Sequence, residues 1–289
     1  LTSLIRFKKK QWRNIEVEIK STQKIFGSST KLGARRTLIT DAPKDISVPI
    51  EVLIEKEPLT IILSEKGWVR SLKGHKDSLA DLKFKEGDNW SFALNTMSVD
   101  NILFFASNGR SYVISAEKFS QKRGFGEPLS LFFDLPSNVK IIEMKILESS
   151  GSLLVASNIG RGFVVNEDFL NAQTKTGKQI LTLTNNERAQ VCYPIHENDD
   201  YVAVVGNNRK LIIFKINELP RLNKGRGVIL QRYKVGGLSD IRSFIKSEGL
   251  SWRTGTKIRT ENKLSSWIGK RAQAGRIVPK GFSNKNTFR

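Results

Sequence analysis

The apolar residues of this chain keep two different rhythms. Over residues 1 to about 26, Phe7, Trp12, Ile15 and Ile19 recur at spacings of five, three and four with lysines and arginines between them, which predicts an amphipathic helix. Gly27-Ser28-Ser29 predicts its end, because glycine and two hydroxyl side chains offer the main chain other partners. A lone helix has little of its own to bury an apolar stripe against, so the expectation is a partner domain outside these residues. A first residue of Leu1 rather than Met fits a domain cut from something longer. Lys31 to Arg36 reads as a basic loop, and residues 37–50, with Pro43 and Pro49, as an extended linker.

From Val52 the rhythm changes to short apolar runs broken by turns, as strands require. The runs form a repeat: LTIILSEKGWVRSLKGH from 59, NILFFASNGRSYVIS from 101, SLLVASNIGRGFVV from 152, YVAVVGNNRKLIIFK from 201 and a weaker GLSWRTGTKIRTE from 249. The turn residues Gly67, Gly109, Gly160, Asn208 and Gly255 recur at 42, 51, 48 and 47 residues, room for about four strands per unit. Such turns need a positive φ, which glycine takes freely and asparagine more readily than most. The expected architecture is all-β, a propeller-like disc of about five four-stranded blades. Their expected bounds are about 53–100, 101–150, 151–199, 200–247 and 248–285, within a domain over 51–289 that follows a helix-and-linker segment over 1–50.

Charge sharpens the picture. The chain carries 48 Lys+Arg against 28 Asp+Glu, a formal +20, which points to a polyanionic partner. Residues 1–40 hold ten of the basic residues with two acidic ones, and residues 251–289 hold ten with one, leaving 28 basic and 25 acidic for the body. A nearly neutral body binds a polyanion only through local clusters. No apolar run approaches the roughly 20 residues of a membrane span and no signal peptide opens the chain, so the expectation is a soluble cytoplasmic protein that needs no membrane.

Little in the sequence suggests catalysis. Cys192 is the single cysteine, so neither an intrachain disulfide nor a cysteine metal cluster is expected. His75 and His196 stand outside any metal-ligand spacing and read as solvated side chains. Tyr112, Tyr193, Tyr201 and Tyr233 lie in strand-like contexts as core or cross-strand residues, and Asp199-Asp200 reads as an acidic turn. No GxxxxGK[ST] phosphate loop is present, and neither a catalytic residue nor a metal site is expected.

Two features repeat with the strands. A basic residue follows the turn, at once in Arg110, Arg161 and Arg209 and slightly later in Arg70 and Lys257. A glycine-rich basic loop then follows the outgoing strand: Lys73-Gly74-His75, Lys122-Arg123-Gly124-Phe125-Gly126, Lys175-Thr176-Gly177-Lys178, Lys224-Gly225-Arg226-Gly227 and Gly269-Lys270-Arg271. Glycine lets the main chain approach a phosphate while Lys and Arg neutralise it. Blades arranged in a ring would bring such loops to one rim, where they would contact DNA backbone rather than base edges and favour bent duplex. The bland reading of the post-turn cations is a charged edge that discourages aggregation.

These repeats carry a family resemblance. EPLTIILSEKGWVRSLKGH, LKFKEGD, ILFFASNGRSYVISAEKF and RGFGEPL, continued by SLLVASNIGRGFVV and by residues 201–227, resemble the C-terminal domain of the A subunit of bacterial type IIA topoisomerases. Within that family they are closer to the topoisomerase IV subunit than to gyrase A. KIFGSSTKLGARRTL at 24–38 is similar to the end of the long helix that joins the DNA-cleavage domain to this one. The resemblance implies a β-pinwheel, in which neighbouring blades exchange strands, and a DNA-binding and DNA-bending role. That role presents the transported duplex and tunes the choice among DNA crossings during ATP-dependent relaxation and decatenation.

The resemblance also implies that no cofactor binds in this fragment, ATP and Mg2+ acting in other domains. The partners it implies are duplex DNA, a second A subunit, plus the B subunit, in a nucleoid-associated parent isomerase that is bacterial and serves chromosome segregation. Carried over position by position, the rim candidates are Arg70, Lys73, Arg110, Lys122, Arg123, Arg161, Lys175, Lys178, Arg209, Lys210, Lys224, Arg226, Lys270 and Arg271. Gyrase A carries a glutamine-arginine-arginine-glycine-glycine-lysine-glycine box for full DNA wrapping. Its nearest counterpart here is Lys224-Gly225-Arg226-Gly227, which favours topoisomerase IV. The alternatives are a gyrase A wrapping domain and a propeller-like protein-docking platform.

Overall fold

The computed structural model describes residues 2–37, 56–79, 82–119, 124–172 and 174–289. The chain divides into two units, 1–53 and 54–289. In the first, α1 (Thr2–Arg6) and α2 (Lys8–Phe26) are separated by an extended Phe7, and no residue of either helix is buried. The Gly27 N–H donates to the Gln23 carbonyl and the chain turns extended there, at the predicted stop. The predicted linker at 37–50 lies outside the described residues except for Thr37.

The second unit is built of successive antiparallel hairpins. The first repeat supplies β1 (Pro58–Ser64), β2 (Trp68–Lys73) and β3 (Trp90–Met97), and the second β4 (Asn101–Ala106), β5 (Arg110–Ser115), β6 (Glu127–Pro128) and β7 (Ile141–Ile146). The third supplies β8 (Ser152–Ser157), β9 (Arg161–Asn166), β10 (Lys178–Gln179) and β11 (Ala189–Ile195). The fourth adds β12 (Tyr201–Gly206), β13 (Lys210–Lys215), β14 (Val228–Ile229) and β15 (Leu238–Phe244), and the last β16 (Leu250–Thr254), β17 (Lys257–Glu261) and β18 (Arg276–Ile277).

The sheet orders are β3-β1-β2-β6, β7-β4-β5-β10, β11-β8-β9-β14, β15-β12-β13-β18 and β16-β17. In every four-stranded sheet the fourth strand therefore comes from the following repeat, the exchange expected of a pinwheel. The expected blade bounds treated each blade as one contiguous stretch, so they put Glu127-Pro128 in the second blade, whereas these residues complete the first sheet. Strands β3, β7, β11 and β15 pack against one another from sheet to sheet, which makes them innermost and the exchanged strands outermost. One turn also differs from expectation. In the fourth hairpin the positive φ of 58° belongs to Arg209, not Asn208, so Lys210 rather than Arg209 matches Arg110 and Arg161.

The core lies between sheets. Ile102 and Phe104 of β4 face the first sheet, and their neighbours Leu103 and Phe105 face the third. A strand buried on both sides has no polar face to alternate with, which is why these runs read as continuous apolar stretches. The fifth hairpin departs from the four strands expected. No later repeat among the described residues donates to it, and its inner edge is met by Phe288, whose carbonyl accepts from the Arg253 N–H, and by Arg242, which donates to the Ser251 carbonyl. Phe288 packs with Trp252 and Phe282 in the last core cluster, and its N–H donates to Asp240. Beside it the Arg289 guanidinium reaches inward to the Glu143 carboxylate at 3.0 Å and lies against the Tyr193 ring.

This packing makes two measurable demands. Phe104 is fully buried against the rings of Phe119 and Phe133, so Phe104→Ala should cost roughly 3–5 kcal/mol in a urea unfolding measurement. Burial raises the Asp240 carboxyl above its ordinary 3.8, outweighing the N–H donors and arginines near it. The folded protein then holds that proton to higher pH than the unfolded chain, so ionisation subtracts stability as pH rises through the folded pKa. Relative to Asp240→Asn, the unaltered protein should gain stability as pH falls from about 7 to about 4, read from paired unfolding midpoints.

Candidate nucleic-acid interface

Each exchanged strand reaches its sheet through a loop that carries the basic residues. The approach is close. A Cβ on Gly177 would stand 2.6 Å from the Ser111 carbonyl oxygen, and one on Gly227 2.3 Å from that of Gly162. Both glycines also have positive φ, so no other residue fits without strain. Once past the glycine, the incoming N–H groups of Leu129, Leu181, Leu230 and Val278 donate to the carbonyls of Gly67, Gly109, Gly160 and Arg209. The glycines of the basic loops thus serve the strand crossing, which is a sufficient reason for their recurrence.

The arginines serve the same crossing. Arg110 donates from Nε to the Thr176 carbonyl on the incoming loop at 2.9 Å and from Nη1 to Gln179 of β10 at 3.1 Å. Arg161 donates to the Gly227 carbonyl, and Arg271 to that of Ile229 on β14. Arg70 is buried, donates to the Gly124 carbonyl and stacks on Phe84, and burial pulls its pKa down. Arg209 holds Ser283 and Asn286 of the last segment. These contacts give the arginines a structural task beyond a bare charged edge. They fasten one repeat to the next through donors aimed at otherwise open carbonyls.

The lysines differ. Among the described residues Lys175, Lys224 and Lys270 are exposed and form no ion pair, and Lys178 is exposed with the Phe169 ring 6.0 Å away. Lys210 is half-buried. Arg226 pairs with Glu187 at 2.6 Å, and Lys73 with Glu57 at 3.3 Å. Lys122 and Arg123 lie outside the described residues. Lys73-Gly74-His75 does not match the other four loops, because it sits at the very end of β2 rather than before an exchanged strand.

The structure also supplies a residue that sequence comparison missed. Arg276 pairs opposite Leu211 as Lys178 does opposite Ser111, so Gly275-Arg276 is the counterpart of Gly177-Lys178. The signal was present in the parallel of GRIV with GKQI. Arg232 and Lys234, which follow β14, are exposed as well.

Acidic residues gather elsewhere. Glu117, Glu167, Asp168 and Glu218 lie in the short 3-10 turns that follow the second strands. With Glu148, Glu197 and Asp199 they occupy the strand ends opposite the hairpin turns, where a cavity of about 600 Å³ opens between the third and fourth repeats. The near-neutral count of the body therefore hides an uneven distribution: cations on the outermost strands and their loops, and an excess of carboxylates over lysines such as Lys118, Lys215 and Lys246 at one end of the sheets.

Comparison with known proteins gives a consistent result. A family model described as the DNA gyrase C-terminal domain, beta-propeller, matches residues 100–148, 151–189 and 200–238, the second to fourth repeats. The A subunit of DNA topoisomerase 4 from Rickettsia bellii is 41% identical over 289 residues, all of this chain and 39% of the relative. That of Caulobacter vibrioides is 40% identical over 256 residues, 88% of this chain and 33% of the relative. The chain thus spans between a third and two-fifths of the length of these relatives. Among solved structures, the C-terminal domain of ParC from E. coli superposes with a TM-score of 0.68 at 30% identity, over 78% of this chain and 96% of that one.

The different tasks of arginine and lysine are separable by stability. Arg161→Gln should lower stability by about 1–2 kcal/mol through the Gly227 carbonyl it leaves unpaired, whereas Lys224→Gln should stay within about 0.5 kcal/mol of the parent in the same chemical denaturation series.

Proposed function

The chain belongs to the family of the bacterial topoisomerase IV A subunit, as its C-terminal domain, and we propose that it is a non-catalytic module that binds and bends duplex DNA along the outer strands of the disc. The observation that carries this is the set of exposed, unpaired lysines at repeated places on the exchanged-strand loops, Lys175, Lys178, Lys224 and Lys270, with Arg276 beside them. Lysine there is a mobile point charge suited to phosphate and indifferent to base sequence. Repetition from sheet to sheet lays the charges along an arc, and a duplex that follows the arc gains contacts that offset its bending. The carboxylates at one end of the sheets would repel the duplex from that end and so fix which surface it meets.

In the parent enzyme this module would present the transported duplex and bias the choice of crossing. Strand cleavage and the ATP and Mg2+ chemistry would belong to other domains. A second A subunit would join the B subunit to complete the assembly in the cytoplasm, close to the nucleoid. The non-catalytic reading is supported by the state of the reactive groups within the disc. Burial pushes the Cys192 thiol and the Tyr233 hydroxyl well up, and Tyr112 is fully buried, its hydroxyl accepting from Asn108. No helix among the described residues is long and apolar enough to cross a membrane.

A topoisomerase IV role is favoured over gyrase-type wrapping because Arg226, in the nearest counterpart of the gyrase box, is already paired with Glu187. Replacing Lys175, Lys178, Lys224 and Lys270 together by Gln should cut affinity for a mixed-sequence duplex and lower the slope of log affinity against log salt by about 3 to 4. An unchanged slope would refute the lysine assignment. Stabilisation of a full chiral turn in a DNA topology assay would favour the gyrase-like alternative.

A further inference from the structure

Among the described residues, four of the five hairpins receive an outer strand and the fifth does not. In the complete sheets Trp68-Val69, Arg110-Ser111, Arg161-Gly162 and Lys210-Leu211 take the incoming strand, always antiparallel. β17 offers Lys257-Ile258 at the corresponding place, and its sheet stops there. Lys257 pairs back with Thr254 across a two-residue turn, so Ile258 and Thr260 direct their N–H and C=O groups away from β16. Ile258 is 68% exposed, whereas its counterpart Leu211 is fully buried. Among the described residues no main-chain partner meets Ile258 or Thr260 on that side. The corresponding part of the first repeat, Leu82–Asn89, has no preceding sheet to complete and is engaged on its own. Phe84 lies under Arg70, and Asp88 accepts from the Lys66 N–H.

We propose that the β17 edge is a docking site for an acidic β-strand of another protein, added antiparallel as a third strand of the fifth hairpin. Three observations support it. The edge has the pairing pattern that is filled in all four other sheets. The side chains around it, Arg253, Lys257, Arg259 and Lys263, are exposed cations, against the single half-buried carboxylate of Glu261. A strand bearing Asp and Glu therefore complements it, while pairing with a second copy of β17 centred on Arg259 would set arginine against arginine. Cations on an edge often serve to discourage pairing. They do not do so in this fold, because Arg110, Arg161 and Lys210 stand at the same place in sheets that pair. Main-chain hydrogen bonds would supply affinity, and alternate acidic side chains would supply selectivity.

The test uses the 289-residue chain and a labelled peptide of alternating Glu and Val led by a glycine, with a Lys-for-Glu version as control. Fluorescence polarisation should show the acidic peptide binding in preference to the basic one, and amide exchange should slow at Ile258 and Thr260. Ile258→Pro removes an outward N–H at an edge position where proline is tolerated, and should weaken peptide binding by about tenfold or more. It should leave the unfolding midpoint and duplex-DNA affinity unchanged, which separates this proposal from the DNA-binding reading. Lys257→Glu with Arg259→Glu should switch preference to the basic peptide. Equal binding of both peptides, binding indifferent to Ile258→Pro, or protection of β17 only as the chain self-associates would each overturn the proposal.

Discussion

A strand of two residues makes very few hydrogen bonds, yet each complete sheet of this protein is finished by one, and that strand always comes from the next repeat. Its pairing ties neighbouring sheets together along their outer edge, while the apolar clusters tie them along their faces. The two constraints are mutually dependent. Without the exchanged strand the outer edge of each hairpin would expose unpaired main-chain groups, and without the inter-sheet core nothing would hold the crossing loop close enough to pair. The positive-φ glycines and the post-turn arginines are the local chemistry that this crossing demands.

The exchange also decides where charge can go. A loop that travels along the outer edge is solvent-exposed for most of its length, so lysines tolerated nowhere in the core collect there. The short 3-10 turns that follow the second strands take the carboxylates instead. An uneven distribution of charge thus arises from the path of the chain, and a body with almost equal numbers of basic and acidic residues acquires a basic outer edge. The same logic marks the ends of the series. At the start of the series the Leu82–Asn89 stretch has no preceding sheet to complete and is held by Arg70 and Lys66, and at its end, among the described residues, β17 receives no outer strand.

Much of this was legible in the sequence. The repeat, the hairpins, the all-β class and the end of the N-terminal helix follow from periodicity and turn chemistry alone, because those depend on neighbours in the chain. Strand exchange was not legible from spacing, because Glu127-Pro128 and Val228-Ile229 are too short to show a pattern and their partners lie far away in sequence. The role of the arginines was hidden for the same reason: Arg110 and Arg161 look like surface cations until the carbonyls of Thr176 and Gly227 are seen beside them. Asn208 gave way to Arg209 at the turn because the loop length, not residue preference, set which position takes the positive φ. Lys73 was grouped with the rim loops through its glycine neighbour, although its place at the end of β2 and its pairing with Glu57 set it apart.

The central claim is that DNA meets the lysines of the exchanged-strand loops and not the cations elsewhere on the disc. Lysine acetylation read by mass spectrometry, with and without saturating duplex, tests it in one measurement. The account predicts that Lys175, Lys178, Lys224 and Lys270 lose reactivity when DNA is present, while Lys118, Lys215 and Lys246, at the end where the carboxylates gather, keep theirs. Protection of the second group with the first left reactive would contradict it.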